Sequence, residues 1–264
     1  MRKEVIGNAT LYLGDNAKVL PTLAPVDAVV TSPPYKDQRH YGGGKTAWDV
    51  TMLRAFIDIP AKDACQVLVN LGQLHESGEV DLYWSNWLES MRRFGWRFFG
   101  WYVWDQGFGL PGDWAGRLAP SHEFVFHFNR KPIEPNKWVK PKSVGRVTSG
   151  TTMRKPDGKT PEKKTNGEPI ADFKVADSVI RVTREMRRDV DHPALFPVRL
   201  PEELLMSFTQ EGDTVLDPFM GAGTTGVACA NQGRAFVGVE IHEPYFDIAC
   251  ERIENAQRQE RLFA

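Results

Sequence analysis

The chain contains few cysteines, and their spacing is not that of metal ligands. Cys65, Cys229 and Cys250 are the only cysteines among 264 residues, and they lie far apart in the sequence. No apolar run approaches the roughly 18 residues of a membrane helix, and residues 1–4 do not lead into the apolar core of a signal peptide. We therefore expect a cytoplasmic protein with no metal site and no membrane span.

Net charge is almost absent, but the charges are unevenly distributed. The whole chain carries −1, whereas residues 130–188 contain 16 Lys and Arg against 7 Asp and Glu, a local net charge of +9. This excess is typical of a surface that binds phosphate groups, although a solvated charged loop would have the same composition. Frequent prolines and weak apolar periodicity predict a loop-rich insertion in this range. The hydrophobic content of 41% is sufficient for an α/β core around it.

The pentapeptide Thr31-Ser32-Pro33-Pro34-Tyr35 follows an apolar run, Val26–Val30, that predicts a buried parallel strand. Consecutive prolines cannot extend a sheet, so the chain leaves the strand as a rigid loop at its carboxyl end. Open α/β sheets bind their ligands at this edge. The loop offers a hydroxyl, a proline carbonyl and an aromatic ring, which suit a flat base with an exocyclic amino group. The alternative is an ordinary proline-rich turn.

A second motif lies near the carboxyl end of the chain. Residues 214–228 predict a strand, a glycine turn and a helix, and a further strand ends at Glu240. Gly221, Gly223 and Gly226 form a Gly-x-Gly-x-x-Gly pattern, and Glu240 is placed to bind ribose hydroxyls. This pattern fits a dinucleotide, S-adenosylmethionine or a tight turn. Asp217, just before the glycines, adds negative charge that favours a cationic cofactor over a pyrophosphate.

Both motifs resemble those of one family. Ser32-Pro33-Pro34-Tyr35 resembles the catalytic tetrapeptide Asp/Asn/Ser-Pro-Pro-Tyr/Phe of DNA amino-methyltransferases, and residues 217–225 are similar to the cofactor loop of the same family. Because the catalytic loop precedes the cofactor loop, the chain is identified as a member of the circularly permuted beta group. Further segments that resemble this group, in the expected order, are Gly14-Asp15-Asn16, Ser121-His122-Glu123-Phe124 and His192–Pro197.

The resemblance implies an α/β fold with a Rossmann-like, mostly parallel and circularly permuted sheet, plus a basic target-recognition insertion. We expect a catalytic half at 1–129, the insertion at 130–188 and a cofactor-binding half at 189–264. The implied cofactor is S-adenosylmethionine. The implied catalytic residues are Ser32, Pro33, Pro34 and Tyr35. The implied cofactor-binding residues are Asp15, Thr31, Phe196, Asp217, Pro218, Phe219, Gly221, Gly223, Thr224, Thr225 and Glu240. The candidate DNA-binding residues are Arg39, Arg181, Arg184, Arg187 and Arg188.

The implied reaction is methyl transfer from S-adenosylmethionine to the exocyclic amino group of a flipped DNA base. Serine at the first catalytic position slightly favours N4 of cytosine over N6 of adenine, by analogy with the family. The chain lacks a Pro-Cys nucleophile, which argues against methylation of a ring carbon. The alternatives are an inactive DNA-binding paralogue and a methyltransferase that acts on RNA or on a protein glutamine. Expected partners are double-stranded DNA, a second copy in a homodimer and, in a restriction-modification system, a separate nuclease.

Other patterns concern the surface and the core. The spacing of Arg181, Arg184, Arg187 and Arg188 predicts a short helix that grips phosphates or binds guanine. Arg39 lies in a glycine-containing segment, residues 36–45, which predicts a flap that orders on DNA or a plain disordered loop. The aromatic residues between positions 84 and 104 have helical and then strand-like spacing. This pattern predicts core packing rather than base stacking.

Overall fold

The computed structural model describes residues 2–35, 48–112, 114–147, 157, 169–184 and 196–263. The segment predicted to form a flap, with Arg39, lies outside these ranges, as do Arg187 and Arg188. Within the described ranges, no helix combines the length and the apolar character needed to cross a membrane.

Strands and helices alternate along most of the chain. The strands are β1 (Arg2–Ile6), β2 (Ala9–Leu13), β3 (Val26–Thr31), β4 (Ala61–Leu71), β5 (Leu74–Glu76), β6 (Glu79–Asp81), β7 (Arg97–Asp105), β8 (His122–Asn129), β9 (Val179–Arg181), β10 (Thr214–Asp217) and β11 (Ala235–Glu240). The helices are α1 (Asn16–Val19), followed by a 3₁₀ turn (Leu20–Thr22), α2 (Trp48–Ile57), α3 (Ser85–Arg93), α4 (Arg199–Phe208), α5 (Thr224–Asn231) and α6 (Glu243–Phe263).

One nine-stranded sheet has the order β1-β2-β11-β10-β3-β4-β8-β7-β9, and β5 and β6 form a separate hairpin. The strands from β2 to β4 in this order are mutually parallel, while β8 is antiparallel to both β4 and β7. The central pair β10 and β3 joins a strand from the carboxyl end of the chain to one from the amino end. The mostly parallel α/β fold predicted from the sequence, closed by elements from both ends of the chain, is therefore confirmed.

Helices cover both faces of the sheet, because alternate residues of each buried strand face opposite sides. On one face, Val29 of β3 packs with buried side chains of α2 and α3. On the other face, Ala28 and Val30 pack with α4, α5 and α6. Most of the aromatic stretch is core, as predicted: Trp84, Trp87, Trp96 and Trp104 are buried. Phe99 and Trp101, however, are each about half exposed.

The described part of the basic insertion is irregular, as the proline content predicts. Within residues 130–147 and 169–178, pairing is limited to isolated bridges that join Val139 to Lys174 and Val147 to Pro169. The end of the range behaves differently, because β9 joins the main sheet beside β7. The prediction of one short helix that includes Arg181 and Arg184 is wrong. Arg181 ends a strand and Arg184 follows without helical structure, since pairing with β7 takes precedence over helical spacing.

Candidate active site

The sheet topology brings polar residues from distant parts of the sequence to one edge. Strands β3, β4, β10 and β11 end at this edge, and so do β7 and β9, because two antiparallel steps restore the direction of β4. The amino end of β8 lies there too, with Glu123. Both sequence motifs therefore meet at the edge where open α/β sheets bind ligands.

A hydrogen bond joins the two motifs directly. Thr31 Oγ1, at the end of β3, donates to Asp217 Oδ1, at the end of β10, over 2.6 Å. The Phe219 backbone N–H donates to the same oxygen over 3.0 Å, and both side chains of the pair are 2% exposed. Burial raises the pKa of Asp217 to about 6, although these two donors stabilise the carboxylate and oppose the rise. Asp217 thus ties the loops that follow the two strands together from inside the protein.

We expect the buried Asp217 to make stability depend on pH. Its pKa is 3.8 in the unfolded reference and about 6 in the fold, so the folded state binds more protons between these values and the unfolding free energy falls as pH rises. At about 1.4 kcal/mol per pKa unit, the loss approaches roughly 3 kcal/mol. The Asp217→Asn variant lacks this loss, so its stability relative to the native chain should rise between pH 4 and pH 7. Urea unfolding across that range measures the difference.

The exposed Asp172 provides a control for that experiment, because Asp172→Asn makes the same chemical change at a solvated position of the insertion. A stability difference between Asp217→Asn and the native chain that stayed constant with pH would show that the buried carboxyl does not titrate in this window.

The loop after β3 is fixed at several points. The Trp48 indole Nε1 at the start of α2 donates to the Pro34 carbonyl over 2.9 Å. The ring of Tyr35 lies against the backbone of Gly72, where an added Cβ would come within 2.7 Å of the ring. Only glycine permits this approach without displacing the ring, which explains the glycine at position 72, directly after β4. Ser32 and Tyr35 remain partly exposed, and Ser32 Oγ lies 3.5 Å from the Tyr35 hydroxyl.

A polar network surrounds the Tyr35 hydroxyl. It donates to Glu123 Oε2 over 2.7 Å and accepts from Asn70 Nδ2 over 3.0 Å. Asn70 Nδ2 also lies 2.6 Å from Glu123 Oε2. Burial, reinforced by the Glu123 carboxylate, raises the pKa of Tyr35 well above its usual value, so the phenol keeps its proton. Asn70 is 4% exposed, and its Oδ1 has no hydrogen-bond partner among the described residues.

The second motif forms the other half of the edge. Gly221 and Gly223 have φ of 53° and 77°, a region that favours glycine. The Gly221 N–H donates to Glu240 Oε2 and the His242 N–H donates to Glu240 Oε1, each over 2.8 Å. Burial raises the pKa of Glu240, while these backbone donors oppose the shift. The carboxylate is therefore held in one orientation at the end of β11.

Asp15 lies next to Glu240 because β2 and β11 are paired neighbours. Leu13 is in register with Glu240, and the Gly14 N–H donates to the Glu240 carbonyl over 2.8 Å. Asp15 caps α1 by accepting from the Ala17 N–H over 3.0 Å, and Asn16 Nδ2 donates to the Pro218 carbonyl over 3.2 Å. The segment around Asp15, which is about 200 residues from the glycine loop in sequence, therefore forms one site with it.

The other predicted cofactor residues surround this loop with different degrees of burial. Thr225 is fully buried and its Oγ1 donates to the Val30 carbonyl. Phe219 packs against the α2 side of the sheet and Phe196 against the opposite side. Thr224 is buried at the start of α5.

Sequence reasoning gave no role to several residues that complete the site. Arg252 of α6 donates to the Ala222 carbonyl and to Thr224 Oγ1, and it thereby holds the glycine loop. Gln106 follows the end of β7 at the same edge. Its position is the signal that could have identified it, since polar residues at strand ends are candidates for ligand binding. Asn70, at the end of β4, was predicted to lie at this edge because it follows the apolar run Val67–Val69.

The candidate DNA-binding arginines are placed differently from one another. Arg181 is exposed at the end of β9, and Arg184 Nη2 donates to Gln106 Oε1 over 2.6 Å and lies 3.7 Å from Glu123 Oε1.

The described residues contain no group of three or more His, Cys, Asp or Glu side chains that could hold a metal ion.

Comparison with known proteins agrees with this geometry. The family model N6_N4_Mtase, described as DNA methylase, matches residues 26–251. The orphan methyltransferase M.BamHII of Bacillus amyloliquefaciens is 29% identical over 87% of this chain and 89% of its own length. The structure of the PvuII DNA methyltransferase (cytosine-N4-specific) has a TM-score of 0.64 at 18% identity, over 97% of this chain and 93% of that one. TTHA0409 from Thermus thermophilus, complexed with S-adenosyl-L-methionine, has a TM-score of 0.61 at 23% identity, over 94% and 95%.

Proposed function

The chain belongs to the DNA methylase family whose model matches residues 26–251, and from this premise we propose how its site works. It is an S-adenosylmethionine-dependent DNA amino-methyltransferase that transfers the methyl group to the exocyclic amino group of a base. We propose that the base is flipped out of the duplex, because a paired base cannot reach a loop at the edge of a sheet.

The residues around the glycine loop fit S-adenosylmethionine. Glu240 accepts backbone N–H groups of Gly221 and His242 on its two carboxylate oxygens, and a carboxylate has further lone pairs for a ribose diol. Asp15 adds a second carboxylate nearby, and the buried His242 Nδ1 has no partner among the described residues, so a polar group can still bind there. This acidic, hydroxyl-binding site suits a cationic nucleoside better than a pyrophosphate. The bound cofactor supplies an electrophilic methyl group on its sulfonium.

The loop after β3 is proposed to bind the base. Ser32 Oγ and the Pro33 carbonyl would accept the two amino hydrogens, because the Pro34 carbonyl is already occupied by Trp48. The partly exposed Tyr35 would stack on the base, and its hydroxyl bonds hold the ring in place. Asn70 Oδ1 offers a further acceptor beside the loop.

These contacts would activate a poor nucleophile. The lone pair of an aromatic amine is delocalised into its ring, and acceptors on both hydrogens draw the nitrogen toward tetrahedral geometry. Placement of that nitrogen by Ser32 Oγ and the Pro33 carbonyl would account for most of the rate enhancement. The described residues form no covalent intermediate in this scheme.

The observation that carries the proposal is the buried Thr31–Asp217 hydrogen bond, because it joins the ends of β3 and β10, from which the loop at residues 32–35 and the glycine loop begin. The test is incubation of duplex DNA with labelled S-adenosylmethionine, digestion to nucleosides and mass identification of the methylated base. We expect N4-methylcytosine, with N6-methyladenine as the alternative product. Absence of label from DNA, together with label in RNA or protein, would overturn the assignment of the polymer.

The expected partner is double-stranded DNA, and the expected compartment is the cytoplasm in which that DNA is found. A homodimer and a separate restriction nuclease stay predictions. They can be tested by sedimentation of the purified chain and by a search for endonuclease activity at the same recognition sequence.

DNA affinity should depend on salt through the basic insertion. Each phosphate that the protein neutralises contributes a slope of about −0.9 to the plot of log affinity against log salt. Arg181 is exposed within the insertion, so Arg181→Gln should make this slope less steep by about one phosphate and weaken binding to specific and scrambled duplexes alike. Fluorescence anisotropy over a salt series measures both effects. A slope equal to that of the native chain would exclude Arg181 as a phosphate contact.

A further inference from the structure

Glu123 links two parts of the chain that are far apart in sequence. Its Oε2 accepts from the Tyr35 hydroxyl over 2.7 Å and from Asn70 Nδ2 over 2.6 Å. Its Oε1 faces Arg184 Nη2 at 3.7 Å. One carboxylate therefore contacts the catalytic loop through one oxygen and the end of the basic insertion through the other.

Arg184 is fixed in this position from several directions. Its Nη2 donates to Gln106 Oε1 over 2.6 Å, and its backbone N–H donates to the Gln106 carbonyl. Gln106 is 2% exposed, whereas the Arg184 side chain is 26% exposed and that of Glu123 is 17% exposed. Just upstream, the Val182 carbonyl accepts from the Trp104 indole over 2.7 Å. The segment that carries Arg184 thus continues the packing of β9 against β7.

We propose that Arg184 is a positioning residue that seats Tyr35 through Glu123, and not a phosphate contact. This inference rests on the proposed function, because it assigns Tyr35 to the base-binding loop. A phosphate would have to displace Arg184 from Gln106 and leave the partly buried Glu123 carboxylate without its cation, which is costly. Arg181 is held less firmly, since among the described residues its guanidinium donates only to the Val179 carbonyl, at 3.4 Å.

The end of the insertion thereby helps to position the base-binding loop. A movement of residues 182–184 changes the position of Glu123, and Glu123 in turn holds the Tyr35 hydroxyl. The target-recognition region is thereby coupled to the loop that receives the base.

The test compares Arg184→Gln with Arg181→Gln, which makes the same chemical change three residues away. For Arg184→Gln we expect turnover at saturating DNA to fall about 10-fold, the effect of losing one charge-assisted contact, while the salt slope of DNA binding stays native. Arg181→Gln should instead make the salt slope less steep and weaken DNA affinity. In a Tyr35→Phe background, which removes the hydroxyl that Glu123 holds, Arg184→Gln should cause little further loss.

A second measurement does not depend on activity. With tyrosine labelled at ¹³Cζ and assigned by Tyr35→Phe, Arg184→Gln should shift the Tyr35 resonance, whereas Arg181→Gln should not. Any of three results would overturn the proposal. Arg184→Gln could leave the Tyr35 resonance native, or it could flatten the salt slope while turnover stays native. The double variant Arg184→Gln with Tyr35→Phe could show the full sum of the two single losses. If the native chain methylates no DNA, the proposed function fails, and the Tyr35 resonance still decides whether Arg184 positions that side chain.

Discussion

Ser32→Ala is expected to reduce methyl transfer about 10²-fold, the size of effect seen when one positioned polar group is removed from a reacting centre. The reason is that Ser32 Oγ is the side-chain acceptor proposed for an amino hydrogen, and the partly exposed loop after β3 places it at the ligand edge. Cofactor affinity should stay native, because the glycine loop and Glu240 are untouched. Single-turnover kinetics with the duplex, together with calorimetry of S-adenosylhomocysteine binding, separates the two quantities.

Ser90→Ala is the matched control, since Ser90 is partly exposed on α3 and its Oγ donates to the Asn86 carbonyl of its own helix. Near-native turnover of Ser32→Ala would show that the serine hydroxyl does not accept from the base.

Tyr35→Ala should also reduce turnover, because a base–aromatic stack contributes about 1–3 kcal/mol. It would in addition leave a gap beside Gly72.

Glu240→Ala is expected to weaken cofactor binding by about 1.5–3 kcal/mol, or roughly 10- to 150-fold, through the loss of hydrogen bonds to a charged acceptor. The same carboxylate accepts from the backbone of Gly221 and His242, so its removal also frees the glycine loop. Calorimetry with S-adenosylhomocysteine measures the affinity. Thermal unfolding without ligand shows how much of the effect comes from the loop alone.

Glu243→Ala serves as the control, because Glu243 is three residues away, its side chain is 66% exposed, and it forms a 3.8 Å ion pair with Arg2. Unchanged affinity in Glu240→Ala would mean that the ribose binds elsewhere, and it would reopen the question of which nucleotide the loop receives.

The local patterns that identified both motifs act over short stretches of chain, which is why they could be read directly. Two prolines after an apolar run end a strand wherever they occur, and glycines with positive φ followed by a helix produce the same turn in any sheet of this kind. Such rules predict the strand β3, the loop at residues 32–35, the glycine turn and the position of Glu240 at the end of β11. The aromatic core followed from periodicity for the same reason.

The partners of these residues depended on tertiary structure. Asp217 was expected to add charge for a cofactor, yet it is buried and bonded to Thr31, 186 positions earlier in the chain. Arg184 was grouped with Arg181 by its spacing, but the pairing of β9 with β7 exposes one and directs the other to Gln106 and Glu123. The sequence by itself determined which short segments carry chemistry, because backbone sterics and hydrophobic alternation are local. Only the order and direction of the strands decided which side chains share the edge, because hydrogen bonds and ion pairs depend on distances that no local pattern contains.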